Sequence, residues 1–350
     1  MSCIDEEWLN FINNRVSNIC EIVQTKKQVP VPSAIHISTK TKISYLNQPI
    51  DIKNVFWGIH VMPYATPKEG VIKKQMKQVS FSAEELLENQ NRMIGCTAFI
   101  DEHVITSINN PEGRVKFKDI RKISIGVSKK DLLSYRCKKK SAFYNCFVLI
   151  FRLLKDDVYK EFHVKVFNTG KLEMPGVQDD VLFNRALILL LETLQPLVST
   201  KLEYKENSIE TVLINSNFKC GFFVNREELY DILRYKYNIQ SIYDPCSYPG
   251  IQCKFYYNPD VGIQTGSQIS ELNRSVYTNI SEVSFMIFRT GSVLIVGKCE
   301  EDVLLNIYEF LKCLLIAEYD KICLRNACET DIAAKPKKVK MYKRLITVSL

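Results

Sequence analysis

The sequence has few of the residues from which metal centres and catalytic sites are usually built. Its 350 residues include only four histidines, and these are scattered: His36, His60, His103 and His163. Twelve cysteines are present, but none forms a Cys-x-x-Cys pair and no histidine lies close enough to complete a zinc spacing. We therefore expect reduced, mostly buried thiols, no metal, no cofactor and no enzymatic activity.

Signals for membranes, secretion and phosphate-binding loops are also missing. No apolar run reaches about 18 residues without a charge, which argues against a transmembrane helix and a membrane partner. The first residues, MSCIDEEWLN, are acidic, so we expect no secretory signal peptide and an intracellular protein. The stretch TGSVLIVGK is typical of a hairpin and lacks the GxxxxGK[ST] spacing of a phosphate loop.

The charge that is present has a modest basic excess. The chain carries 47 Lys and Arg against 39 Asp and Glu, a net charge of +8, which is compatible with a polyanionic partner. Basic residues concentrate in two places, at Lys138, Lys139 and Lys140 and in the segment 335–344 with Lys337 and Lys338. We expect these lysines to contact phosphates and to add affinity without sequence preference.

One pattern occurs twice. The chain reads HVKVFNTGKLEMPG from His163 and FMIFRTGSVLIVGK from Phe285. Each copy has an alternating run that ends in Phe, two further residues, a Gly, a second run and a second Gly. A segment with helical spacing follows each copy. The pattern predicts two β-hairpins, each followed by a helix.

The wider pattern predicts an α+β fold made of two pseudo-symmetric repeats. Each repeat has the order strand, helix, strands, helix, and two such units joined edge to edge give one antiparallel sheet with helices on one face. The predicted division is an N-terminal helical extension (1–30), repeat 1 (31–200), repeat 2 (201–325) and a basic tail (326–350). Repeat 1 contains an insertion at about 65–141, which we expect to form a small lobe of its own.

These repeats resemble the TATA-box-binding protein family, and in particular its divergent members in large DNA viruses. The resemblance covers roughly 33–64 and 142–319 and is strongest in YPGIQCKF and FMIFRTGSVLIVG. It implies a curved saddle whose concave sheet lies on the minor groove of AT-rich promoter DNA, and a role in transcription initiation. It also implies partners similar to general transcription factor IIB and RNA polymerase. A viral source would imply the host cytoplasm, with packaging in the virion left open.

The family is a standard example of DNA kinking by apolar side chains that enter between base steps. The resemblance implies one pair of such wedges in each repeat. Tyr248 and Phe288 correspond to the pair of repeat 2. Phe167 corresponds to one member in repeat 1, and its partner is Phe143, with Phe147 as the alternative.

The resemblance also implies side chains that line the groove. For repeat 2 these are Asn215 or Asn217 and the apolar Met286, Leu294 and Val296; for repeat 1, which lacks the family Asn, Thr39 takes that place. Repeat 1 departs from the family where Lys165 and Glu173 replace apolar groove contacts. A carboxylate at this surface repels the phosphates of the DNA and opposes binding, unless Lys165 pairs with it.

Two other functions remain open at the level of sequence. The same fold serves as a substrate-binding module in some ribonuclease H and DNA glycosylase enzymes, although the insertion has no paired carboxylates typical of a catalytic domain. Alternatively, a structural or interaction protein, such as a virion component, could keep the saddle without kinking DNA. The stretch IYDPCSY is also less acidic than the family loop that meets factor IIB.

Overall fold

The computed structural model describes residues 29–133, 144–268, 276–277 and 279–324. The helix expected near the N-terminus and the basic tail lie outside these residues. Twelve strands form one antiparallel sheet in the order β3-β4-β2-β5-β6-β7-β1-β8-β12-β11-β10-β9.

The strands and helices are short, and their bounds are as follows. The strands are β1 His36–Tyr45, β2 Gly70–Ser80, β3 Ile100–Asn109, β4 Phe117–Gly126, β5 Cys146–Lys155, β6 Val158–Phe167, β7 Lys171–Val177, β8 Glu210–Lys219, β9 Gln240–Ile242, β10 Gly250–Tyr257, β11 Ser281–Phe288 and β12 Ser292–Gly297. The helices are α1 Ile52–Gly58, α2 Ala83–Ile94, α3 Lys129–Leu133, α4 Asp180–Leu194, α5 Arg226–Asp231, α6 Glu301–Ala317 and α7 Tyr319–Ile322. A 3-10 turn, Gln195–Leu197, follows α4, and a π-helical turn, Ile232–Lys236, follows α5.

The sheet consists of two halves with the same internal order. Outward from the centre, one half runs β1-β7-β6-β5-β2 and the other runs β8-β12-β11-β10-β9. The halves meet where β1 pairs antiparallel with β8. The α+β class and the two pseudo-symmetric repeats in one antiparallel sheet are therefore confirmed.

The insertion extends the sheet and does not form the separate lobe that we expected. Its strand β2 pairs with β5 and has the place in repeat 1 that the three-residue β9 has in repeat 2. Strands β4 and β3 then continue the sheet beyond β2. Repeat 1 therefore ends in a long two-strand extension for which the described part of repeat 2 has no counterpart.

Each repeat buries its own apolar core between the sheet and its longest helix. Helix α4 buries one face against repeat 1 through Leu182, Phe183, Ala186, Leu187, Leu190 and Leu194. Helix α6 does the same in repeat 2 through Leu304, Ile307, Tyr308, Leu311, Leu314 and Leu315. These positions recur every three or four residues, which places them on one side of a helix. Because both helices cover the same side of the sheet, the opposite side of the central strands is left uncovered.

At the start of α1, Asp51 accepts hydrogen bonds from the N–H groups of Lys53 and Asn54, and two further helices also begin at a capping side chain. Ser82 accepts a hydrogen bond from Glu85 N at 3.2 Å at the start of α2, as its sequence predicts. Asp179 accepts from Val181 N at 2.7 Å at the start of α4. Asn225 stands at the expected position before α5, but its side chain makes no capping bond.

Helix α3 lies on the other side of the sheet from the remaining helices. Neighbouring strand residues point to opposite faces, and Lys74 of β2 donates to the carbonyl oxygens of α1 on the helical side. The adjacent Lys73 therefore points to the other side, where its Nζ lies 2.7 Å from the carboxylate of Asp131 on α3. The outer part of repeat 1 is thus covered on both faces.

Candidate nucleic-acid interface

Strand alternation decides which side chains of repeat 2 reach the uncovered face. On β11, Val283, Phe285 and Ile287 are buried under α6, so the residues between them point the other way. The predicted groove residues all lie on that uncovered face: Asn215, Asn217, Met286, Leu294 and Val296.

The strand register brings these side chains side by side. Leu294 of β12 pairs with Asn217 on one side and with Met286 on the other. Val296 pairs with Asn215 in the same way. Asn217 Nδ2 donates to Ser38 Oγ at 2.7 Å, whereas no group in the described ranges hydrogen-bonds the Asn215 amide. The result is an apolar strip flanked by two amides.

An aromatic pair stands at one end of this strip. The rings of Tyr248 and Phe288 lie 5.9 Å apart between centroids at 57°. Gly250 pairs with Phe288 across the sheet, and a Cβ there would lie 3.0 Å from the Phe288 ring and 3.2 Å from the Tyr248 ring. The absence of a side chain at Gly250 therefore allows both rings to project together from the uncovered face.

The repeated Gly after each Phe is required by the hairpin turn. Gly170 and Gly291 have φ angles of 81° and 76°. Their N–H groups donate to the carbonyl oxygens of Phe167 and Phe288, at 3.0 and 2.9 Å. A Cβ at Gly291 would lie 2.2 Å from the carbonyl oxygen of Phe222. Positive φ and this close approach both favour glycine, and they explain the duplicated spacing of the sequence.

Phe167 is the hairpin aromatic residue of repeat 1, in the place that Phe288 has in repeat 2. Phe167 is partly exposed and pairs with Cys146 as Phe288 pairs with Gly250. The alternative Phe147 is wrong, because it is fully buried in the core against Phe56. Phe143 lies outside the described residues, so its role stays a prediction.

Tyr144 is a further aromatic residue at this end of repeat 1 that the sequence reasoning did not consider. It stands two residues before Cys146, just as Tyr248 stands two residues before Gly250, and it is 56% exposed. The Nζ of Lys77 lies 3.6 Å above its ring, which is a cation–π contact. The sequence carried one signal for Tyr144. It precedes the strand residue that pairs with the hairpin Phe by two positions, as Tyr248 does in repeat 2.

The inner strand of repeat 1 has neither of the two amides that repeat 2 carries on β8. Thr39 lies opposite Asn215 across the β1–β8 junction, as part of the same uncovered face. By register along β7 and β12, Thr41 is the counterpart of Asn215 and Ile43 is the counterpart of Asn217. The pairing of β1 with β8 is irregular after Ile37 and after Thr41, so Thr39 faces Asn215 across the junction without being its counterpart in the repeat. The contact of Thr39 with DNA stays a prediction.

An ion pair occupies the middle of the repeat 1 face. Lys165 and Glu173 are direct partners across β6 and β7, and their charged groups are 2.5 Å apart. Lys165 thus does pair with Glu173, which is the condition under which this carboxylate does not oppose phosphate. Further out, Lys129 N donates to Glu161 at 2.6 Å, which ties α3 to the same face. Burial opposes ionisation of Asp131, but hydrogen bonds from Lys73 and Ser128 outweigh it and hold its pKa below the usual value.

The remaining predicted contacts fall outside the described residues. These are Lys138, Lys139, Lys140, Lys337 and Lys338. Within the described ranges no three His, Cys, Asp or Glu side chains are grouped closely enough to hold a metal ion. Among the same residues, no helix is both long and apolar enough to cross a membrane.

A comparison with known proteins found a relative named after the family that the repeat pattern resembles. A protein of Acanthamoeba polyphaga mimivirus named TATA-box-binding protein-like is 27% identical over 223 residues. The chain resembles the TATA-box-binding protein family. The match covers 58% of this chain and 58% of the length of the viral relative. No protein-family model matches the sequence.

A solved structure of a TBP also superposes on this chain. It is that of the Methanococcus jannaschii TBP, with a TM-score of 0.38 and 14% sequence identity. The superposition covers 82% of this chain and 99% of the archaeal chain. The fold assignment itself stands on the strand order and register given above.

Proposed function

We propose that this chain is a transcription initiation factor that binds AT-rich promoter DNA through the minor groove and bends it. One observation carries the proposal: the uncovered face of repeat 2, where the Tyr248–Phe288 ring pair stands at the end of an apolar strip. The chain acts by binding and not by catalysis.

The wedge action follows from the position of the rings. An apolar pair that enters a base step unstacks it at a cost of a few kcal/mol, and the bent duplex then presents more surface to the protein. Phe167 provides the corresponding ring of repeat 1 at the other end of the central strands, with Phe143 or Tyr144 as its partner. Two kinks, one at each end, give a duplex that follows the sheet.

The selectivity follows from the chemistry of the groove. Deformation is cheapest at flexible TA steps, so bending itself selects sequence. The minor groove of A·T pairs shows only acceptors, to which the amide NH₂ groups of Asn215 and Asn217 donate. Met286, Leu294 and Val296 displace water from the groove floor between these amides.

Further contacts are part of the same proposal. Lys138, Lys139, Lys140, Lys337 and Lys338 contact phosphates along the duplex. A protein similar to general transcription factor IIB and an RNA polymerase bind the assembled complex. The protein acts inside the cell, and if its source is viral, in the host cytoplasm.

The proposal is tested by placing a carboxylate on each face in turn. Leu294→Glu puts a negative charge on the uncovered face, where it meets the phosphates and groove acceptors. We expect the dissociation constant for an AT-rich duplex to rise at least tenfold, measured by fluorescence anisotropy against a scrambled duplex. The wild type should prefer the AT-rich duplex.

The matched control is Ile188→Glu on α4, which makes the same kind of change at an exposed position on the helical side. This variant should bind as the wild type does. Equal loss in both variants, or a wild type without preference for AT-rich DNA, would count for a structural protein that kept the fold alone.

A further inference from the structure

The Lys165–Glu173 pair is the largest chemical difference between the two repeats on the uncovered face. The two residues are cross-strand partners on β6 and β7. The same register positions in repeat 2 are held by Met286 and Leu294, cross-strand partners on β11 and β12. A charged pair therefore replaces an apolar pair at matching places.

The ion pair is set into the face and not at its rim. The Lys165 and Glu173 side chains are 23% and 25% exposed. Ile43, which pairs with Glu173 on the inner side, is 5% exposed. A duplex bound on the central strands therefore covers this pair and removes water from its charged groups. The binding free energy is weakened unless these groups form hydrogen bonds in the groove.

The groove offers those partners only at one kind of base pair. A·T and T·A pairs show only the acceptors adenine N3 and thymine O2, and a G·C pair adds the N2 amino donor of guanine. A lysine donates to N3 or O2, but an ionised glutamate accepts only. Over A·T pairs the Glu173 carboxylate would face acceptors alone, whereas over a G·C pair it receives a hydrogen bond from guanine N2.

We propose that the Lys165–Glu173 pair makes the two half-sites unequal, so that repeat 2 takes A·T pairs and repeat 1 takes a G·C pair at the position facing Glu173. Lys165 donates to the adjacent N3 or O2 of the same half-site. Met286 and Leu294 cannot accept from the guanine amino group, so they exclude it from the other half. This inference rests on the proposed minor-groove function.

The test replaces A·T by G·C at each position of an AT-rich duplex in turn. In the half under repeat 2, we expect each replacement to weaken wild-type binding about 5- to 150-fold. In the half under repeat 1, one position should bind G·C as tightly as A·T or more tightly. Inosine in place of that guanine removes only the N2 amino group and should abolish the gain.

The half-sites are assigned with a DNA-cleaving reagent tethered to the exposed Cys246, which stands two residues from Tyr248. Cys246→Ser provides the control for reagent attached at other cysteines. Cleavage should fall on the half that does not tolerate G·C.

The deciding variant is Lys165→Met with Glu173→Leu, which gives repeat 1 the residues of repeat 2. It should lose the tolerance for G·C, measured as the ratio of its dissociation constants for the G·C-substituted and the all-A·T duplex. The control is Lys254→Met with Glu282→Leu, which removes another 2.5 Å ion pair, on β10 and β11 of the uncovered face of repeat 2. This control should keep the wild-type pattern.

The outcomes separate the two claims. If the wild type binds none of the duplexes, the proposed function itself fails. If it binds the AT-rich duplex but penalises G·C equally in both halves, only the unequal half-sites are wrong. The same holds if inosine replaces guanine without effect, or if the Lys165→Met, Glu173→Leu variant keeps the tolerance.

Discussion

Phe285 and Phe288 lie three residues apart on β11, and their side chains lie on opposite faces of the sheet. Phe285 is fully buried beneath α6, and Phe288 is partly exposed beside Tyr248. The same residue type therefore has two energetic roles. A buried Phe stabilises the fold, and a partly exposed Phe on the uncovered face keeps part of its apolar surface available to a ligand.

Alanine substitutions at these two positions should separate the roles. Phe285→Ala should lower the free energy of unfolding by about 3–5 kcal/mol, because it leaves a cavity in a packed core. Phe288→Ala should cost much less than that. Thermal and urea unfolding of both variants provide the measurement, and equal losses would place Phe288 in the core.

Single residues could be predicted from the sequence where strand alternation was regular. Met286, Leu294 and Val296 lie on the uncovered face because β11 and β12 pair without interruption, and their contact with DNA stays a prediction. The partner of Phe167 stays a prediction, because Phe143 lies outside the described residues. Thr39 lies on the uncovered face, but the irregular pairing of β1 makes Thr41 the counterpart of Asn215, and such irregularities leave no mark in a single sequence.

At the scale of elements, the hairpin turns fix where each aromatic wedge projects. Gly291 combines positive φ with a Cβ position only 2.2 Å from the Phe222 carbonyl oxygen. Gly176 has a similar φ of 82°, but a Cβ there meets nothing within 4 Å. The two glycines thus differ in steric surroundings and share a backbone conformation.

Gly291→Ala should therefore destabilise the protein more than Gly176→Ala. The backbone cost of positive φ, about 1–3 kcal/mol, applies to both. Only Gly291→Ala must also displace the backbone at Phe222. Chemical denaturation compares the two directly, and a larger loss for Gly176→Ala would argue against the turn geometry described here.

Helix α1 ends on a buried lysine. Lys74 Nζ donates to the carbonyl oxygens of Phe56 and Ile59, each at 2.7 Å, and its ammonium lies over the Phe56 ring. These carbonyls belong to the last turn and end of the helix, which lack partners within it. Burial lowers the pKa of Lys74 to about 8.

Lys74→Met should change how stability depends on pH. Between about pH 8 and 10.5 the unfolded chain holds a proton on Lys74 that the folded chain has released, so wild-type stability rises with pH in this window. Relative to Lys74→Met, the wild type should gain up to about 3 kcal/mol across the window. A stability difference that stays constant from pH 7 to pH 10.5 would mean that burial does not shift this group.

Most elements could be predicted from their patterns, and β2 shows why one could not. The run GVIKKQMKQVS places lysines at neighbouring positions, so it suits a loop as well as a strand. Both Lys73 and Lys74 are buried, one against Asp131 and the other against α1. These partners lie 58 and 18 residues away in the chain, so only the folded protein shows how the charges are satisfied.

At the scale of the whole molecule, two similar halves have become chemically unequal. Repeat 2 presents an apolar strip with amides, and repeat 1 presents an ion pair with α3 over its outer strands. The extension by β4 and β3 further lengthens only one half. A duplex on this face therefore meets two different surfaces, which gives the complex a direction along the DNA.

Deleting the basic segment 335–344 should weaken DNA binding equally for AT-rich and scrambled duplexes. Phosphate contacts carry no sequence information, and their loss reduces the dependence of the binding constant on salt. Titrations at several salt concentrations measure both effects. A loss confined to the AT-rich duplex would assign the segment a role in base recognition.

The central claim, that the uncovered face kinks DNA with its aromatic wedges, is tested most directly by bending. Fluorescence transfer between dyes at the two ends of an AT-rich duplex should rise when the wild type binds. Phe288→Ala should remain folded, lose about 1–3 kcal/mol of binding free energy and give little rise in transfer at saturation. A folded Phe288→Ala variant that bends the duplex as fully as the wild type, or a wild type that binds and leaves it straight, would contradict the account.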